Sequence, residues 1–213
     1  MGTRRERWGA VLLVGVGACA AASAGGCGND SAPSEPTVSE STVSESSSQS
    51  TGESGPLKVV SADDIAVAHT PPGGWTTMPA PVLAACTEPL VEGAADMRGL
   101  WRVIDVTVAG VASPDHEAMG LLQRIEQCGD RVVITSGGIV HDMRADGTEE
   151  RGVHDVAAVD KSTPITVVAS FEAGVHVLRP AGVAVEVRRH REGEYLIWDY
   201  VGFSARLERV DSP

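Results

Sequence analysis

From Gly99 onward the chain is written in short runs of Val, Ile, Thr and aromatic residues, each closed by Gly, Asp or Pro. Runs that recur at about eight to twelve residues with this punctuation are strands joined by turns. The spacing predicts strands over 100–109, 121–127, 131–135, 139–144, 152–159, 164–171, 175–179, 183–190, 195–201 and 204–210. The turns between them are tight, among them Cys128-Gly129-Asp130, Ala145-Asp146-Gly147, Ala173-Gly174 and Glu192-Gly193. Tight turns join antiparallel neighbours, so the pattern is a meander.

A meander of about eight to ten strands either leaves two edges open to other chains or closes on itself, and closure alone removes the edges. The expected fold class is therefore all-β, an antiparallel up-and-down barrel. A β-sandwich is the alternative. The stretch before the barrel, 57–98, reads as a mixed segment. Pro71-Pro72-Gly73-Gly74 marks a turn there, and Pro81 opens a short predicted helix over 81–86.

Arg98-Gly99-Leu100-Trp101 at the mouth of the first strand resembles the G-x-W signature of the lipocalin-like (calycin-type) barrels. That resemblance implies a tryptophan, Trp101, that follows Gly99, closes one barrel end and packs against an arginine of the last strand. The candidates are Arg206 and Arg209. It also implies an interior able to hold a ligand.

The N-terminus bears on location. Arg4, Arg5 and Arg7 precede an apolar stretch from Trp8 to about Ala24, followed by Gly25, Gly26 and Cys27. This is the order of a secretory signal peptide, expected over 1–26. Small residues before a cysteine resemble the lipobox of bacterial lipoproteins, which implies lipidation at Cys27. Val16-Gly17-Ala18-Cys19 is a rival box. Residues 27–56 are rich in Ser, Glu and Thr, carry a tandem TVSES and contain no aromatic residue. Such a segment buries too little apolar surface to offset its ordering entropy and is expected to be a disordered linker. The β-barrel domain is assigned to 57–213. Together these readings give a lipid-anchored protein on the extracytoplasmic face of the cell membrane.

With 29 acidic against 17 basic residues, the formal net charge is −12, which argues against nucleic acid as a partner. Setting aside Cys19 and Cys27 leaves Cys86 and Cys128, for which a disulfide is the simplest reading in an oxidising compartment.

No GxSxG, P-loop, GxGxxG after a strand or CxxC is present, and His116-Glu117 lacks the second histidine of HExxH because Gly120 stands in its place. No cofactor is indicated, and the chain is read as not an enzyme. The candidate site is a histidine pair. If 139–144 and 152–159 form a hairpin in which Arg144 faces Arg151, His141 lies opposite His154, and alternation turns both inward. On that reading Asp142, Arg144, Arg151 and Asp155 are solvated. His176 is a possible third member, and Trp198 is placed on a strand face that could line the same cavity. The leading expectation is binding or shuttling of a small apolar or amphipathic ligand at the envelope. The alternatives are a ligand-free interaction module and, less favoured, an enzyme using His141 and His154.

Overall fold

Alternation of apolar and polar residues along the predicted runs sends every second side chain to one face, and those faces close around a common interior. The structure is a computed structural model that describes residues 59–211; the expected signal peptide, Cys27 and the linker lie outside the described residues. The strands are β1 (Gly99–Val108), β2 (Val111–Ala112), β3 (Leu122–Cys128), β4 (Arg131–Ser136), β5 (Ile139–Arg144), β6 (Val153–Val156), β7 (Pro164–Glu172), β8 (Val175–Pro180), β9 (Val187–Glu192), β10 (Tyr195–Tyr200) and β11 (Phe203–Val210).

Their order in the sheet is β5-β4-β3-β1-β11-β10-β9-β8-β7-β6, with β2 folded back on β1. Every ladder is antiparallel. This is an all-β up-and-down barrel of ten strands, nearly closed. The first and last long strands close it, Trp101 pairing with Arg209 and Val106 with Ala205, with a bulge between Val103 and Asp105. The break falls in mid-chain instead, between β5 and β6, which share no ladder.

The interior is filled by the inward set of each strand: Trp101, Val103, Ile125, Val132, Ile134, Met143, Val167, Leu178, Leu196, Trp198, Ala205 and Leu207 are all buried in one cluster. A second cluster lies on the opposite face of β3, β4 and β5, where Cys128, Val133 and Val140 pack against Ala62 and Leu83. Much of 59–98 therefore forms an arm laid across the outer wall, while Ala95 and Met97 at its end pack with the interior cluster. Among its described residues the only helical turn is a 3₁₀ turn at Ala62–Asp64. The helix predicted over 81–86 does not form: the backbone there closes a single turn, Cys86 N–H donating to Leu83 O at 2.9 Å, while Leu83 N–H is held by Glu126 Oε2 of β3 at 2.7 Å.

Two devices fasten the arm. Cys86 and Cys128 are joined by a disulfide with Cα atoms 6.1 Å apart. Arg131 and Asp142, paired side by side on β4 and β5 at one remove, form the other. Arg131 Nε donates to Asp142 Oδ1 at 2.8 Å and Nη2 to Oδ2 at 2.7 Å. The same guanidinium donates to the carbonyls of Ala62, Ile65 and Ala66 at 2.7, 2.6 and 2.9 Å. Asp142 Oδ2 also accepts from Ala68 N–H at 2.9 Å.

Candidate functional site

Three places on this frame gather polar side chains. The first is the barrel end at β1. Trp101 is fully buried and its Nε1 donates to Met97 O at 2.8 Å. The Arg209 guanidinium carbon lies 4.9 Å from the Trp101 ring centroid, as does that of Arg191 on β9. A cation over an indole face is attracted by the ring quadrupole. Gly99 explains the close approach: at φ +137° a side chain is strained, and a Cβ there would stand 3.3 Å from the Arg209 guanidinium. Arg206 does not join this group. Its alternation turns it outward, 5.1 Å from the Tyr195 ring and 3.6 Å from Asp105 Oδ2.

The second place is a row across the interior. Register aligns Phe171 with His176, His176 with Arg189, Arg189 with Trp198 and Trp198 with Ala205 on successive strands β7 to β11. His176 is 0 % exposed, Arg189 5 % and Trp198 7 %, so all three stand in the interior. The Arg189 guanidinium sits 5.4 Å from the Trp198 ring, and its Nε donates to Gln123 Oε1 on β3 at 3.3 Å. Arg189 Nη1, Trp198 Nε1 and both ring nitrogens of His176 have no hydrogen-bond partner among the described residues. No described carboxylate forms an ion pair with Arg189. Burial lowers the Arg189 pKa to about 10. Burial, and secondarily the nearby Arg189 charge, lowers that of His176 to about 3, so the imidazole is neutral at pH 7.

The third place is the seam between β5 and β6. One backbone bond, Arg144 N–H to Arg151 O at 2.7 Å, spans it in the expected register, but no ladder follows. Instead Ala145 and Gly147 donate to Asp130 O and Ala169 O, which turns the connection away from a hairpin. His141 opposes Ile134 on β4, and His154 opposes Thr166 on β7. His141 Nε2 donates across the seam to Val156 O at 3.1 Å; burial lowers its pKa, partly offset by the Val156 carbonyl and Asp155. The inward placement of His141 follows from its alternation with buried Val140 and Asp142.

His154 departs from expectation. It is exposed, alternates with core residue Val153, and donates from Nε2 to Glu149 O at 2.8 Å. The structure thus puts the two histidines on opposite faces of the wall. Asp142 and Asp155, expected to be solvated, are instead buried by the arm, their side chains 2 % and 5 % exposed. Asp155 Oδ2 accepts from Thr70 N–H at 2.9 Å, and Thr70 Oγ1 accepts from Val140 N–H at 3.0 Å. Arg144 is drawn to Asp130 and Asp63.

A cleft of about 430 Å³ opens here, lined by Ile65, Ala68, His69, Met143, His154 and Asp155 among others. Met143, which also belongs to the interior cluster, lines the cleft where the wall is broken.

Fold and site together define an antiparallel barrel with a strapped outer wall, a donor-rich interior row and one open seam. No known family model matches the chain, and no curated protein matches it in sequence.

Sequence reasoning missed Arg131, which follows a tight turn in an otherwise apolar strand, and did not separate Arg189 from the run Arg188-Arg189-His190-Arg191, which reads as a solvated strand end with reception of a ligand carboxylate or phosphate as the alternative. Period-two alternation was the available signal: with Val187 inward, Arg189 and Arg191 must face inward as well.

Proposed function

We propose that this protein binds a small amphipathic molecule at the cell envelope, held to the membrane through a lipid on Cys27 and the linker that follows. The barrel is of the lipocalin-like kind on this reading, with Gly99, Trp101 and Arg209 as its closed end. The observation that carries it is the seam. A barrel otherwise paired all round is interrupted once, and the cleft at that interruption has a volume within the range of small-molecule sites. Its lining joins apolar Ile65, Ala68 and Met143 to charged groups of both signs, among them Arg144, Arg151 and Asp155, which suits a molecule with an apolar part and a polar or charged head. The acidic charge of the chain argues against contact with nucleic acid.

Native mass spectrometry of the full-length chain purified from its membranes, with a solvent extract of the same sample, tests the reading. A stoichiometric amphipathic adduct lost on extraction is expected. A chain that carries no adduct, and takes none up from an envelope lipid extract, overturns it. Metabolic lipid labelling of wild type and Cys27→Ala tests the anchor: label is expected to vanish in the variant, and label retained there moves the anchor to Cys19.

A further inference from the structure

The interior row carries an excess of donors. His176, Arg189 and Trp198 lie side by side on β8, β9 and β10, all at least nine-tenths buried. An unpaired guanidinium in a buried interior is costly, as is each buried N–H without an acceptor. Gln123 offers one carbonyl oxygen at a long 3.3 Å, which leaves Arg189 Nη1 and Trp198 Nε1 without a partner among the described residues. A neutral imidazole supplies one further N–H from whichever nitrogen carries the proton. Three donors and one full positive charge, with no described carboxylate in ion-pair contact, are complementary to a single oxyanion. The flanking rings, Phe171 5.5 Å from His176 and Phe203 5.1 Å from Trp198, make the surroundings apolar.

We infer that Arg189, His176 and Trp198 form a binding site for a carboxylate-type monoanion inside the barrel. The guanidinium takes the anion through charge-assisted hydrogen bonds, and the indole and imidazole N–H groups complete its shell. This rests on the ligand-binding reading only for the source of the carboxylate: either the head of an amphipathic acid or a free small anion has the required chemistry. A monoanion is specified because one guanidinium is the sole full charge in the row; the neighbouring Arg191 stacks on Trp101 and donates from Nη2 to Gly193 O, though its buried Nε has no partner among the described residues.

Isothermal titration calorimetry of the full-length chain at pH 7 and constant ionic strength, with sodium formate, sodium dodecanoate and uncharged dodecanol, tests the inference. Expected is binding of formate and dodecanoate, with dodecanol far weaker than dodecanoate. Loss of a hydrogen bond to a charged group should weaken binding about 10- to 150-fold in Arg189→Met, and loss of a neutral one about 2- to 12-fold in Trp198→Phe. The second variant keeps the indole site aromatic and serves where the first fails to fold. Formate and dodecanoate binding unchanged in either variant overturns the site. Formate bound without dodecanoate upholds the anion site and counts against an amphipathic ligand. Dodecanol bound as tightly as dodecanoate, with formate unbound, overturns the anion site and leaves the ligand reading standing. No binding of any of the three overturns this site, whatever the extracted adduct proves to be.

Discussion

Replacing Asp142 by Ala should detach the arm from the barrel wall. The carboxylate is 2 % exposed and its partner Arg131 3 %, so neither group has water to fall back on. The substitution removes two charge-assisted bonds from Arg131 and the acceptor of Ala68 N–H. Breaking a buried ion pair from one side leaves the other charge uncompensated, at about 3–5 kcal/mol. With a urea m-value of about 2 kcal/mol/M for a domain of this size, the unfolding midpoint should fall by about 1.5–2.5 M with the disulfide intact. Arg131→Met should cost a comparable amount, because it also strips donors from the carbonyls of Ala62, Ile65 and Ala66. The double variant should lose less than the sum, with a coupling of at least about 1 kcal/mol, since no lone charge is then buried. A midpoint shift below about 0.5 M for Asp142→Ala would mean that the pair behaves as a solvated one and that the arm is held by other contacts.

Two further outcomes follow from the same geometry. Cys86→Ala/Cys128→Ala opens a link across a sequence separation of 42 residues and should lower stability by about 4 kcal/mol on the chain-entropy model; urea unfolding with the variant midpoint within about 0.5 M of wild type would contradict it. His176 takes up a proton near pH 6.5 when unfolded and near pH 3 when folded, so between those values the unfolded state binds more protons and stability rises with pH. The stability due to the neutral imidazole is complete above about pH 6.5 and is lost as the pH falls toward 3. Its slope is at most about 1.4 kcal/mol per pH unit. His176→Phe should flatten the stability profile between pH 6 and 4, and an unchanged slope would show that His176 does not stay neutral.

The sequence by itself determined most of the strands and the inward face of most of them, though not those of β6 and β9. Period-two alternation, punctuated by Gly-Asp and Ala-Gly turns, places β3, β4, β5, β7, β8, β10 and β11 within a residue or two of their observed bounds. Local sterics and turn chemistry are short-range, so they are written in neighbouring residues. The Cys86–Cys128 link was legible for a related reason, since two cysteines in the barrel domain allow one pairing. The two-residue β2 escaped notice because Val111 and Ala112 are both exposed and show no alternation.

What only the tertiary structure decided is which outer faces meet water and where the barrel fails to close. Alternation correctly put Asp142 on the outside of β5, yet the arm buries that outside, so a polar residue became the anchor of a wall. Likewise the bond between Arg144 and Arg151 agrees with a hairpin, but a hairpin ladder is competed away. Ala145 and Gly147 find acceptors at Asp130 and Ala169, and β6 pairs with β7. His154 turns outward with that choice, while His141 stays inside. Which acceptor a backbone N–H takes depends on strands distant in sequence, and the pattern along one strand carries no record of that competition.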